Sequence, residues 1–244
     1  MNRNVPADPD LPALAAAVAA PSRAAMLQAL MGGLALPASE LAWRAGVAAA
    51  TASEHLSKLE SAGLVRARAQ GRHRYYELAD ARVARAVELL STLAPPAAVP
   101  APRGCGEALR KARFCYDHLA GTLGVALADS LLRSGAIKED GDDFLVTPSG
   151  AKRFAALGLD LESARSHRRH FARRCLDWSE RRPHVAGALG TALATLMEDS
   201  GWVARAKDDR SARVTPKGLR ALQDEFGLSV DDSGFRAPTK RGAR

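Results

Sequence analysis

Apolar residues recur at helical spacing from the first part of the chain: Leu11, Leu14, Ala15 and Val18 stand at i, i+3, i+4 and i+7, one helix face. Pro21 opens a second helix whose apolar face is Met26, Leu27, Leu30 and Met31, and Gly32-Gly33 stops it. A third covers Ser39 to Ala45 and ends on Gly46, a residue free to take the left-handed conformation of a tight interhelical turn. Between Thr51 and Val65, Ala52, Leu56 and Leu59 form an inward stripe, leaving Thr51, Ser53, His55 and Lys58 on other faces. The period then changes from helical to alternating. Leu64 to Leu78, LVRARAQGRHRYYEL, reads as a β-hairpin turning at Gln70-Gly71, and Ala81 to Leu93 as a helix lined by Val83, Val87 and Leu90.

The pattern breaks at LAPPAAVPAPR, Leu93 to Arg103, which is proline-rich and aperiodic and reads as a linker. Beyond it the chain repeats itself. HLAGTLGVALADSLL from His118 is answered by HVAGALGTALATLM from His184, 66 residues later. Ser134-Gly135 answers Ser200-Gly201, and Val146-Thr147-Pro148-Ser149-Gly150 answers Val214-Thr215-Pro216-Lys217-Gly218. Upstream, Cys115-Tyr116-Asp117-His118 answers Cys175-Leu176-Asp177-Trp178, with about six extra residues before His184. Each copy reads helix, Ser-Gly stop, hairpin, then a helix capped by threonine with proline at its first position. This predicts two degenerate winged-helix-like units related by a pseudo-twofold, packed through helices in which Gly121, Gly124, Gly187 and Gly190 allow close approach.

The 244 residues suit two small domains, and 47% hydrophobic with 25% charged residues is ordinary globular usage. No apolar run is long enough to span a membrane. Asp8 and Asp10 stand where a signal peptide at Leu11 to Ala20 would need basic residues, so a cytoplasmic protein is expected. A formal charge of +8 suits an anionic partner such as nucleic acid. Three scattered cysteines, Cys105, Cys115 and Cys175, imply neither a disulfide framework nor a CxxC zinc motif.

Two short helices joined at a glycine turn, followed by a hairpin bearing Arg66, Arg68, Arg72, His73 and Arg74, have the order of a winged helix-turn-helix. A helix entering the major groove needs short groups near its N-terminus, and Ala49, Ala50, Thr51 and Ser53 supply them, with His55 and Lys58 one turn on. The hairpin arginines suit phosphates, which gives affinity and orientation with little sequence information.

The segments PSRAAMLQAL, ELAWRAGVAAATASEHLSKLESAGLV and RARAQGRHRYYEL resemble the ArsR family of bacterial winged-helix repressors over residues 11–93. The resemblance implies a homodimer, joined through Leu11–Ala20 and Ala81–Leu93, on a partly palindromic operator in double-stranded DNA. Ala48-Ala49-Ala50 departs from the polar residues usual in relatives and leaves thymine-methyl contact or shape readout in place of hydrogen bonds. The metal sites known in the family are missing. Glu40-Leu41-Ala42-Trp43 has no cysteine pair, and Asp80 to Leu93 has no histidine.

Sensing, if present, is therefore expected in the second part, at Cys115, Asp117, His118, Cys175, Asp177, Trp178 and His184. The plainest reading makes the cysteines small core residues and the His and Asp helix caps. A paired thiol site for a soft metal, arsenical or oxidant, and the wall of an organic-ligand pocket, are the alternatives. His167 and His170, among Arg165, Arg168, Arg169, Arg173 and Arg174, read as part of a solvated or DNA-facing basic surface. No phosphate-binding glycine loop, Gly-x-Ser-x-Gly elbow or HExxH motif suggests an enzyme.

The resulting expectation is a mainly α protein with small β-hairpins (α+β). It has a winged helix-turn-helix and dimerisation domain at 1–93, a linker at 94–103, a duplicated effector domain at 104–230 with copies at about 104–162 and 163–230, and a basic tail at 231–244. Its expected function is that of a sequence-specific, dimeric repressor released by an effector, with no required cofactor; a DNA-architectural or protein-interaction role is the alternative.

Overall fold

A computed structural model describes residues 8–33, 35–70, 73–95, 105–166, 170–207 and 209–238. The chain separates into two compact units, Met1–Val87 and Glu88–Arg244. The division falls inside a helix rather than at the proline-rich stretch, most of which lies outside the described residues. Among the described residues no single helix is long and apolar enough to cross a membrane.

The first unit contains α1 (Leu11–Val18), α2 (Pro21–Leu30), β1 (Leu36–Pro37), α3 (Ala38–Ala45), α4 (Ala49–Ser61), β2 (Val65–Gln70), β3 (His73–Leu78) and the start of α5 (Ala81–Leu93). Met26, Leu27 and Leu30 of α2, Leu41 of α3, and Ala52, Leu56 and Leu59 of α4 are buried together, as their spacing requires. A buried leucine contributes about 1.5–3 kcal/mol, and Leu36, Leu64, Val65, Tyr76 and Leu78 extend the same buried set onto the hairpin. Gly46 closes α3 in the left-handed conformation, φ 65°, and turns the chain into α4. β2 and β3 pair antiparallel from Val65↔Leu78 to Gln70↔His73. The short β1, unmarked by any sequence pattern, adds to β3 through Leu36↔Tyr76.

The two helices expected at a dimer contact keep apolar side chains uncovered within the single chain. None of the α1 residues is buried, and Leu11 and Leu14 are exposed. On α5 the buried stripe is Ala84, Glu88 and Thr92, whereas Leu89, Leu90 and Leu93 are exposed. Within the chain, α5 buries the carboxylate of Glu88 and leaves Leu90 of its apolar line exposed.

The second unit runs from that carboxylate through α6 (Cys105–Lys111), β4 (Arg113–Cys115), β5 (His118–Ala120), α7 (Gly121–Arg133), β6 (Ile137–Asp140), β7 (Asp143–Val146), α8 (Pro148–Ala156) and α9 (Leu161–Ser166). The second half then gives β8 (Arg173–Leu176), β9 (Pro183–Ala186), α10 (Gly187–Asp199), β10 (Val203–Arg205), β11 (Ala212–Val214) and α11 (Pro216–Phe226). The repeat is thus a structural one: hairpin, long helix, hairpin, capped helix, twice. Thr147 and Thr215 accept hydrogen bonds from the Gly150 and Gly218 amides at 3.0 and 2.9 Å, capping α8 and α11. A final hairpin, β12 (Ser229–Asp231) with β13 (Gly234–Arg236), replaces the first part of the expected tail. Its Phe235 amide donates to Thr122 Oγ1 at 2.9 Å.

The two copies exchange backbone pairing. The Phe144 amide donates to the Ala172 carbonyl and the Arg174 amide to the Asp142 carbonyl, which joins β6-β7-β8-β9 into one sheet across the copies. In return the Ala212 amide donates to the Ala112 carbonyl and the Phe114 amide to the Arg210 carbonyl. Each hairpin after a long helix therefore pairs with the hairpin before the other long helix. The core between them is continuous and includes Phe114, Leu119, Leu123 and Leu127 from one copy and Val185, Leu189 and Leu193 from the other.

The glycines of the long helices set the approach. A Cβ on Gly124 would stand 2.4 Å from the Leu119 carbonyl oxygen and 3.4 Å from the His184 Cβ. A Cβ on Gly190 would stand 2.4 Å from the Val185 carbonyl oxygen and 3.1 Å from the His118 Cβ. The contacts are reciprocal, and each lays one copy's histidine against the other copy's helix.

Candidate functional site

On α4, Ala49, Ala50, Ser53 and Lys58 are exposed and Thr51 is half-buried. The Ser53 hydroxyl donates to the Ala49 carbonyl at 3.0 Å, so its oxygen keeps acceptor capacity outward. His55 is placed differently from expectation: it is half-buried, with Nδ1 3.4 Å from Arg23 Nη1 of α2. Glu54 and Ser57, not singled out from sequence, are exposed beside Ser53 and Lys58, and a carboxylate there can accept from a cytosine amino group.

The hairpin arginines have acidic partners from outside their own run. Arg66 and Arg68 both reach Glu77 Oε1, at 2.8 and 3.1 Å, and Arg74 Nη2 donates to both carboxylate oxygens of Glu60 of α4 at 2.8 and 3.0 Å. All three arginines remain more than half exposed. Exposed ion pairs of this kind are worth about 0–1 kcal/mol, so a phosphate can replace the carboxylate at little cost. Arg72 lies outside the described residues, and for His73 only the strand position is described.

Two described members of the expected basic surface around Arg165 to Arg174 also have acidic partners. Arg174 Nη2 lies 3.1 Å from Glu139 and His170 Nδ1 3.6 Å from Asp143, both from the acidic β6-β7 hairpin, and Arg165 stacks on Phe171. His167 lies outside the described residues.

In the second unit the sequence candidates converge. Cys115 is the register partner of His118 across β4-β5, and Cys175 that of His184 across β8-β9. Directly opposed residues in an antiparallel pair share one face, so each hairpin presents a Cys-His pair as a unit. The pseudo-twofold brings the two pairs together. The two sulfur atoms and one nitrogen from each imidazole all lie within 4.8 Å of one another, and His118 Nε2 is 3.1 Å from His184 Nε2. Cys115, His118 and His184 are buried; Cys175 is half-buried.

Carboxylates stand behind both rings. Asp117 Oδ1 is 3.1 Å from His118 Nδ1. Asp177 Oδ2 is 3.5 Å from His184 Nδ1, within ion-pair reach though not aligned as a hydrogen bond. Asp177 is wholly buried and much engaged: it accepts from Arg113 Nη2 at 2.8 Å, the Gly121 amide at 2.7 Å, and the Ser179 amide and hydroxyl at 2.9 and 2.7 Å. Burial works to raise its pKa, but Arg113 and then His184 outweigh it and hold the carboxyl well below the usual range. Burial alone lowers the His118 imidazole, but the facing Cys115 and Asp117 offset this and push it up to about 9. A hydrogen bond with Cys175, followed by burial, pushes the Cys115 thiol up.

Arg113 extends the network. Its guanidinium is fully buried, 3.5 Å from Glu88 of α5, and the Trp178 ring covers it at 4.6 Å. Trp178 therefore packs on the network and is not a member of the Cys-His cluster. A cavity of about 10 Å³ between the copies, lined by Leu119, Gly124, Leu127, Val185, Gly190 and Leu193, has room for about one water molecule. An organic ligand does not fit that cavity.

Residues 18–68 match a family described as a helix-turn-helix domain. Over 225 residues the chain is 42% identical to the HTH-type transcriptional regulator YdfF of Bacillus subtilis (strain 168), an alignment covering 91% of this chain and all of that one. The chain belongs to the HTH-type transcriptional regulators. An alignment of that length takes in most of the second unit, so the regulator and its relative share both parts. Among solved structures, HlyU from Vibrio cholerae N16961 is 31% identical and covers 33% of this chain and 87% of its own, with a TM-score of 0.31. The cadmium metal-sensor CMTR from Mycobacterium tuberculosis is 36% identical and covers 38% of this chain and 99% of its own, again with a TM-score of 0.31.

Arg113, Glu88 and Ser179 of the regulator's buried network were not foreseen. Arg113 and Glu88 carry no local signal, because a charged residue on an amphipathic helix or at a strand start is normally solvated. The repeat offered a partial clue to Arg113, since Arg173 stands before the equivalent cysteine.

Proposed function

We propose that this regulator is a dimeric repressor that binds a partly palindromic operator and is released from it by an effector sensed in the second unit. The observation that carries the DNA reading is the pairing of an exposed α4 N-terminus, short side chains at Ala49, Ala50 and Ser53, with a hairpin whose arginines sit in exchangeable surface ion pairs. Thr51, Ser53 and Lys58 face the base edges or adjoining phosphates, and Arg66, Arg68, Arg72 and Arg74 neutralise phosphates on either side.

Dimerisation is supported by the exposed leucines of α1 and α5, namely Leu11, Leu14, Leu89, Leu90 and Leu93. Each of these apolar faces can pair with its own copy about a twofold axis, and successive major grooves about 34 Å apart then receive one α4 helix from each chain. Effector sensing is supported by the convergence of two thiols and two imidazoles, which apolar packing alone does not call for. The architectural alternative is weakened because Arg174 and His170, two members of the expected basic surface, have partners in the acidic hairpin at Glu139 and Asp143.

Selection from random DNA by the purified full chain tests this reading. Recovery of one or a few related, partly palindromic sequences is expected; retention that hardly varies with sequence would establish the architectural role instead.

A further inference from the structure

We propose that Cys115, His118, Cys175 and His184 form a closed four-ligand site for a divalent zinc-class cation, with one thiolate and one imidazole from each copy. The site goes beyond the reading of operator release and stands or falls without it.

The donor set and its spacing carry the proposal. Tetrahedral zinc with sulfur at about 2.3 Å and nitrogen at about 2.0–2.1 Å places neighbouring ligand atoms about 3.3–3.8 Å apart. The four donor atoms here lie within 4.8 Å of one another, and the two imidazole nitrogens at 3.1 Å are already near that spacing. Two sulfur and two nitrogen donors exclude magnesium and calcium, which take oxygen ligands, and suit zinc, cadmium or cobalt(II).

The imidazoles point the same way. Asp117 and Asp177 stand behind the Nδ1 atoms, the arrangement that keeps a proton on Nδ1 and turns the Nε2 lone pair toward a metal. Two Nε2 lone pairs facing at 3.1 Å repel unless something electrophilic lies between them. In the metal-free protein the 3.1 Å contact is a hydrogen bond between the two rings. A cation takes the place of that hydrogen bond and of the two thiol protons: two S–H bonds give way to two metal–sulfur bonds, and the two thiol protons pass to the buffer. Two thiolates then neutralise the dication, which removes the electrostatic cost of holding it in a buried place.

Architecture supplies the last argument. Each Cys-His pair is held on one hairpin by register, and each histidine Cβ rests against the other copy's glycine, so the donors are positioned before any ion arrives. With all four positions filled by protein, no open site remains for substrate or water, as in structural and sensory zinc sites rather than catalytic ones. The ion joins the two copies across their pseudo-twofold.

Cobalt(II) added to the reduced, metal-free full chain tests the site. One equivalent per chain is expected, with the visible d–d bands of tetrahedral cobalt and thiolate-to-cobalt charge transfer, and zinc should displace it. Cys175→Ser should lose charge-transfer intensity and Asp117→Asn should weaken binding roughly 10–100-fold. His118→Cys, which keeps a donor in place should the serine variant not fold, should increase the charge-transfer intensity. Absence of a bound equivalent in the folded, reduced chain overturns the proposal. So does an octahedral spectrum, or cobalt binding unchanged in both Cys175→Ser and His118→Cys.

Discussion

The wing of the first unit and the network of the second both join arginines to carboxylates, in opposite physical settings. Arg66, Arg68 and Arg74 are more than half exposed, and their partners Glu77 and Glu60 hold them weakly against water. Arg113 and Asp177 are wholly buried at 2.8 Å and have no alternative partner in solvent. A charge at the surface stays available for a phosphate; one in the interior is committed to geometry, here to holding Asp177 behind His184. One unit keeps its charges exchangeable for an external ligand, and the other fixes them so that four softer side chains converge.

The largest test of this contrast is stability. Asp177→Ala removes the 2.8 Å partner of buried Arg113, leaving it only the carboxylate of Glu88 at 3.5 Å, and should cost about 3–5 kcal/mol, whereas Glu77→Ala or Glu60→Ala should cost less than about 1 kcal/mol. Denaturant unfolding of the three variants measures this, and similar costs would erase the distinction. Gly190→Ala comes next: its Cβ meets the Val185 carbonyl, so a loss of about 1–3 kcal/mol is expected in the same assay, and an unchanged midpoint would mean the helices have room to part.

If the proposed site is right, adding zinc should raise the unfolding temperature of the parent, a chelator should reverse the rise, and a Cys115→Ser, Cys175→Ser double variant should stay unmoved, as scanning calorimetry would register. At the wing the effects are smaller and electrostatic. Arg66→Ala with Arg68→Ala should reduce the slope of log affinity against log salt by about two units, near 0.9 for each lost phosphate contact, on all DNA sequences alike. The smallest effect is expected of Glu77→Gln, which releases both arginines and should raise DNA affinity slightly at low salt; a fall in affinity would show that Glu77 positions the arginines instead of competing for them.

Much of this was legible without coordinates because it is local or periodic. The α2 and α4 faces, the Gly46 turn, the hairpin alternation and the Thr-Pro helix starts depend on residues within a few positions of one another. The winged helix-turn-helix, the duplication and the candidates Cys115, His118, Cys175 and His184 followed from that order. Sequence reasoning failed where burial depends on distant chain. Leu90 belongs to an apolar line that stays exposed, while Glu88 on the same helix is buried beside Arg113, and the arginines of the wing have partners beyond their own run.

The sequence by itself determined which elements form, that the second unit is built twice, and which donors each copy carries, because propensity, capping and repetition are written in neighbouring residues. Tertiary structure alone decided that the copies trade hairpins, that Gly124 and Gly190 seat each histidine against the opposite helix, and that four donors meet within 4.8 Å. Cys115 and His184 are far apart along the chain, and nothing local specifies the distance between them. Only the packing of one copy on the other does.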